Sequence, residues 1–112
     1  MATAADLRRL ALTLPGTIEA SHFDRTAFKA RRIYATLAAD KLTANLMLTP
    51  PEQEFKCMMA PEAFSPVPGG WGRSGATTVT LAAIGIGELD AALRLAYAHA
   101  IPKEKSVKSR RR

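Results

Sequence analysis

Ile33-Tyr34-Ala35-Thr36-Leu37-Ala38, then Asp40-Lys41, then Leu42-Thr43-Ala44-Asn45-Leu46-Met47-Leu48 is the stretch whose reading decides the fold. Ile33, Ala35 and Leu37 alternate with Tyr34, Thr36 and Ala38, and Leu42, Ala44, Leu46 and Leu48 alternate with Thr43, Asn45 and Met47. A period of two belongs to a strand with one face on a core. Asp40-Lys41 supplies the turn between the two runs, so this is a β-meander with one apolar and one mixed face.

Upstream, Phe28 and Ala30 extend the meander by a preceding strand, and Ile18 to Phe23 form a further candidate strand. Before them, residues 5 to 14 repeat Leu7, Leu10, Ala11 and Leu14 at the spacing of one helical face. Thr3 or Asp6 can cap that helix, and Pro15-Gly16 stops it.

Downstream, Thr49-Pro50-Pro51-Glu52 opens a second helix. Thr49 is placed to accept from the Glu52 N–H while the Glu52 carboxylate reaches back, a capping box. Pro50 takes the first helical position, where a missing N–H costs nothing. Phe55, Met58 and Met59 supply the expected buried side, and Pro61 ends the helix.

Phe64 to Gly75, with two prolines and four glycines, reads as a loop long enough to be functional. A strand from Thr77 to Ala82 follows, with Val79 and Leu81 inward. Gly85-Ile86-Gly87 leads into a last helix with Glu88 and Asp90 in its first turn, favourable at the positive end of the dipole. Leu89, Leu93, Ala96, Tyr97 and Ala100 form its apolar stripe, and Pro102 closes it. The order is helix, three or four strands, helix, strand, helix. It predicts an α+β two-layer sandwich, an antiparallel sheet with helices on one face. The predicted core is Leu10, Leu14, Leu37, Leu46, Phe55, Val79, Leu93 and Tyr97.

At 112 residues the chain is one domain, assigned to residues 1–102. Residues 103–112 carry six basic side chains against Glu104, a net +5, whereas residues 1–102 hold ten basic and nine acidic groups, a net +1. The basicity is therefore a tail, too polar to pack and expected to be disordered. It is either a solubilising end or a source of sequence-blind attraction to polyanions through Lys103, Lys105, Lys108 and Arg110. No run is long and apolar enough to span a bilayer, and no secretory signal opens the chain. One cysteine, Cys57, excludes an internal disulfide and fits a reducing, cytoplasmic compartment.

These landmarks resemble the MmcQ/YjbR family of small bacterial proteins. They are Leu14-Pro15-Gly16, the Ala27-Phe28-Lys29 and Ile33-Tyr34-Ala35 strands, the Pro-rich start of helix two, Trp71 before the Val79 strand, and Ile101-Pro102-Lys103. The resemblance runs from about Leu7 to Lys105. It implies a frataxin-like or secretion-chaperone-like two-layer fold and a function in DNA binding.

The residues themselves suggest where. If helices cover the face of Ile33, Leu37, Leu46, Val79 and Leu81, the opposite face shows Lys29, Tyr34, Thr36, Asn45, Met47, Thr78 and Thr80. Lys29 and Arg31, two apart, share a side of their strand. Cations beside aromatics suit nucleic acid, where phosphates meet charge and bases stack on rings. The alternative is a solvated face of ordinary β-formers. Trp71, among Gly69, Gly70 and Gly72, is either a buried loop anchor or a contact residue, with Arg73 beside it for a phosphate or carboxylate.

Catalytic signatures are lacking. His22 and Asp24 have only His99 and Cys57 as further candidates, too few for a metal site. Cys57, among methionines, reads as a core residue. Ser74 has no base nearby in sequence. The expectation is a monomeric binding module without cofactor, metal or catalysis. Its partner is nucleic acid or, alternatively, a protein or small ligand docked on the open sheet face.

Overall fold

The alternation between residues 33 and 48 forms the expected hairpin, and the rest of the sheet is built outward from it. In the computed structural model, which describes residues 1–101, α1 spans Ala4–Leu12 and is followed by β1 (Ile18–His22), β2 (Arg25–Lys29), β3 (Ile33–Leu37) and β4 (Thr43–Met47). Then come α2 (Pro50–Met59), β5 (Phe64–Pro66), α3 (Gly70–Arg73), β6 (Ala76–Thr80), a 3-10 turn at Leu81–Ala83, and α4 (Ile86–Ala98). All strand pairs are antiparallel, in the order β1-β2-β3-β4-β6-β5. The two edges are thus the five-residue β1 and the three-residue β5, which ends in Pro66.

One face of the sheet is apolar. Phe28, Ala35, Leu37, Ala44, Leu46 and Val79 are buried on it beneath α1 and α4, while α2 packs over β5 and β6. Leu7, Ala11, Leu89, Ala92, Leu93 and Ala96 complete the core from the helices, with Leu10 and Tyr97 at its margin. Leu46→Ala is expected to destabilise the fold by about 2–5 kcal/mol, the usual cost of truncating a fully buried leucine. Urea denaturation would check it, and a loss below about 0.5 kcal/mol would place Leu46 on the wrong face.

Both helix starts form as the capping residues predict. Thr49 Oγ1 accepts from the Glu52 N–H at 3.4 Å while the Thr49 N–H donates to Glu52 Oε1 at 3.0 Å. The Thr3–Asp6 pair repeats the arrangement on α1.

Three expectations are corrected. Phe55, Met58 and Met59 are exposed, and α2 buries no residue fully. The space beneath that end of the sheet is taken by Ala60, Ala63 and Phe64 just after the helix. The region Phe64 to Gly75 is not all loop, because Phe64, Ser65 and Pro66 pair with Val79, Thr78 and Thr77. A proline is tolerated there because β5 is an edge. Finally, the last strand stops at Thr80, and Leu81 reaches the core from the 3-10 turn.

The most consequential departure is at Tyr34. Phe28 pairs with Ala35, but its neighbour Lys29 pairs with Ile33. Two steps on β3 therefore answer one on β2, and Tyr34 is the extra residue of a β-bulge. Alternation breaks at that point. Tyr34 and Ala35 both face the core, and Ile33 turns to the open side with Lys29.

Candidate functional site

The open face of the sheet is set by the pairing register. His22 and Arg25 pair, Ala27 lies opposite Thr36, and Thr36 lies opposite Asn45, which pairs with Thr78. Much of its polarity is internally satisfied. Arg25 lies along the sheet and donates from Nε to Thr36 Oγ1 at 2.8 Å and from a terminal nitrogen to the Thr36 carbonyl at 3.4 Å. Thr78 Oγ1 donates to Asn45 Oδ1 at 2.8 Å.

Two aromatic side chains border this face. Trp71 is 66% exposed and Phe23 is 92% exposed, and both line one concavity of about 210 Å³ with Arg25, Asn45 and Met47. Trp71 is a surface residue on the short helix α3, not a buried loop anchor. Its backbone is nevertheless firmly placed. Gln53 Nε2 donates to the carbonyls of Gly72 at 2.8 Å and Ala76 at 2.9 Å, tying α3 to α2. Gly72 is buried so closely against Val67 that a Cβ would overlap its carbonyl. Gly75, at φ 114°, has the same relation to the Leu48 carbonyl.

Phe23 is held at a cost. It occupies the first position of the two-residue turn between β1 and β2, at φ 61°. Hairpin turns that match strand twist need positive φ there, which normally selects glycine, asparagine or aspartate. A bulky aromatic in that conformation, exposed to water, is doubly unfavourable. Its ring makes an edge contact with His22 at 4.8 Å between centroids. The sequence reading did not single out Phe23 as a site residue. It fell at the end of the candidate strand Ile18 to Phe23, whereas β1 stops at His22 and Phe23 begins the turn.

The other anticipated residues fall in different places. Lys29 is half-buried on the open face opposite Ile33, and Arg73 is exposed in the last turn of α3. Arg31 lies in the β2–β3 connection, where its N–H donates to the Ala100 carbonyl at 3.0 Å. Tyr34, expected as a stacking residue, is withdrawn from the surface by the bulge. Its hydroxyl donates to the Ala11 carbonyl at 3.3 Å and so accepts from Thr17 Oγ1 at 2.9 Å. Its ring meets Tyr97 edge-on, and burial raises the phenol above its ordinary pKa. Lys103, Lys105, Lys108 and Arg110 lie outside the described residues.

Among the described residues, no three His, Cys, Asp or Glu side chains gather as a metal site would need. Cys57 is half-buried, and desolvation pushes its thiol up, away from the thiolate. Also among the described residues, no helix is long and apolar enough to cross a membrane.

The fold is similar to that in the crystal structure of Deinococcus radiodurans protein DR2400, a DUF419 domain. The TM-score is 0.78, with 96% of this chain and 88% of that chain covered at 24% identity. At that identity the likeness shows the fold alone. No family model matches the sequence, and no curated protein matches it.

Proposed function

We propose that the chain is an MmcQ/YjbR-like protein, the group to which the DUF419 label belongs, and a small non-enzymatic module of the cytoplasm. Its open sheet face binds DNA in single-stranded form. The observation that carries this reading is the pair of exposed aromatics, Phe23 and Trp71, facing one concavity on the sheet. Stacking platforms beside cations are what an unpaired strand requires, since every base has a π-face and every linkage a charge. Arg25 lies within the concavity, Lys29 on the same face and Arg73 on the helix of Trp71. Asp24 is the one carboxylate among the described residues lining it. The basic segment 103–112 adds attraction without sequence preference.

The test is a salt series. Binding of a labelled oligothymidylate to the full chain, followed by anisotropy, is expected to weaken linearly in log Kd against log salt. Changing Lys29 and Arg73 together to alanine should flatten that slope by about 1.4, roughly 0.7 for each phosphate contact on a single strand. An unchanged slope that disappears on deleting residues 103–112 would leave the tail as the only contact. Absence of binding at low salt would favour the second reading, a protein docked on the same face. The exposed apolar side chains of Ile18 and Phe23 give that reading its support.

A further inference from the structure

The bulge at Tyr34 has a second effect, on the other side of β3. The β3–β4 ladder runs from Leu37↔Ala44 to Ala35↔Leu46 and includes neither Tyr34 nor Ile33. Where the strands part, a cleft of about 390 Å³ opens, bounded behind by the end of α4 and beside by the start of α2. That volume lies within the range of small-molecule sites, about 300–1,000 Å³.

Its lining has two characters. Ile33, Met47, Leu48, Ala96 and Ala100 are apolar, while Arg32, His99, Ser74 and Thr49 bring polar groups. Among the described residues lining the cleft there is no carboxylate. Arg32 donates a terminal N–H to the His99 carbonyl at 2.7 Å, which fixes the guanidinium at the mouth. A guanidinium has five N–H donors, so this bond leaves most of the fork unspent on His99.

His99 is itself oriented from behind. Its Nε2 lies 2.9 Å from Glu52 Oε1, the oxygen that also accepts from the Thr49 N–H. Burial works to raise the Glu52 carboxyl, but the Thr49 N–H and the His99 ring outweigh it and hold it below its ordinary pKa.

The neighbouring helix end offers an anion little. Pro50 and Pro51 have no N–H, and those of Glu52 and Gln53 are taken by the Thr49 side chain and carbonyl. A phosphate, which needs many donors, finds few here, whereas a planar carboxylate matches one guanidinium fork. We propose that this cleft binds a small organic acid. Its carboxylate sits on the Arg32 guanidinium, which the His99 carbonyl holds at the mouth, and its compact apolar body lies against Ile33, Leu48 and Ala96.

Benzoate is a suitable probe, followed by ¹H–¹⁵N NMR on the full chain, with benzamide as the uncharged isostere. Benzoate is expected to shift amides at positions 32–34, 47–49, 74 and 96–100, and benzamide to bind at least tenfold more weakly. Arg32→Gln, an exposed change, should weaken benzoate tenfold or more and leave benzamide unaffected, while Arg94→Gln on the far surface of α4 changes neither. The proposal is overturned if the cleft amides do not respond to benzoate, if benzamide binds as well, or if Arg32→Gln has no effect. The benzamide comparison, made on the unaltered protein, decides even if the variant is perturbed.

Discussion

Replacing Trp71 with alanine is expected to weaken single-stranded DNA binding about 5- to 150-fold. A base stacked on an aromatic side chain is worth about 1–3 kcal/mol, and each 1.4 kcal/mol is tenfold in Kd. Stability should hardly change, because the side chain is exposed and α3 is placed by Gly72 and Gln53 instead. Phe23 offers a sharper form of the same experiment. Phe23→Gly removes a stacking ring and also relieves an unfavourable positive φ. It should lower affinity while raising stability, by up to about 1 kcal/mol. Opposite signs in the two measurements are the mark of a residue kept for contact at the expense of the fold. Full affinity in both variants would remove the sheet face from consideration.

The largest loss of stability is expected at Gly75. Alanine there meets two penalties: the left-handed φ of 114°, and overlap of its Cβ with the Leu48 backbone. Strain of that kind costs about 1–3 kcal/mol, and overpacking costs about 1–3 kcal/mol more. The combined loss of roughly 2–6 kcal/mol is comparable to the whole stability of many domains. Gly69→Ala is the control. It too has positive φ, at 84°, but nothing lies near its missing Cβ. It should lose only the strain portion in the same thermal or urea melt. Equal losses at the two positions would mean that the close approach to Leu48 carries no energy.

How far the fold could be read from the chain is best judged at β3. The meander was legible because alternation is a local property, visible in Ala35, Leu37, Ala44 and Leu46 alone. The fate of Tyr34 was not, because a bulge is a relation between two strands. Nothing in Ile33-Tyr34-Ala35 marks the point where one residue of β2 answers two of β3. That single shift moved a presumed surface tyrosine into the core and turned Ile33 outward. Phe55 was misplaced for a related reason. Helical periodicity identifies an apolar side, but not whether the sheet below has room for it. Here Phe64 and two small alanines already fill that space. Of the site residues, Trp71 announced itself through its glycine-rich setting. Phe23 did not, since its significance depends on a backbone angle. The capping box at Thr49, a purely local device, was fully legible and forms as read.

The unequal edges of the sheet give it a polarity. On one side β5 is three residues long and ends in Pro66, a residue with no N–H to offer a newcomer. On the other, β1 presents five residues, Ile18–His22, with neither proline nor lysine among them and one charge, Glu19, already paired with Arg8. Natural edges are usually blunted by one of these devices. Among the described residues, the sheet is better protected at the β5 margin than at the β1 margin. Within those residues, β1 is thus the margin at which a further strand is expected to add, in the hairpin that also displays Phe23.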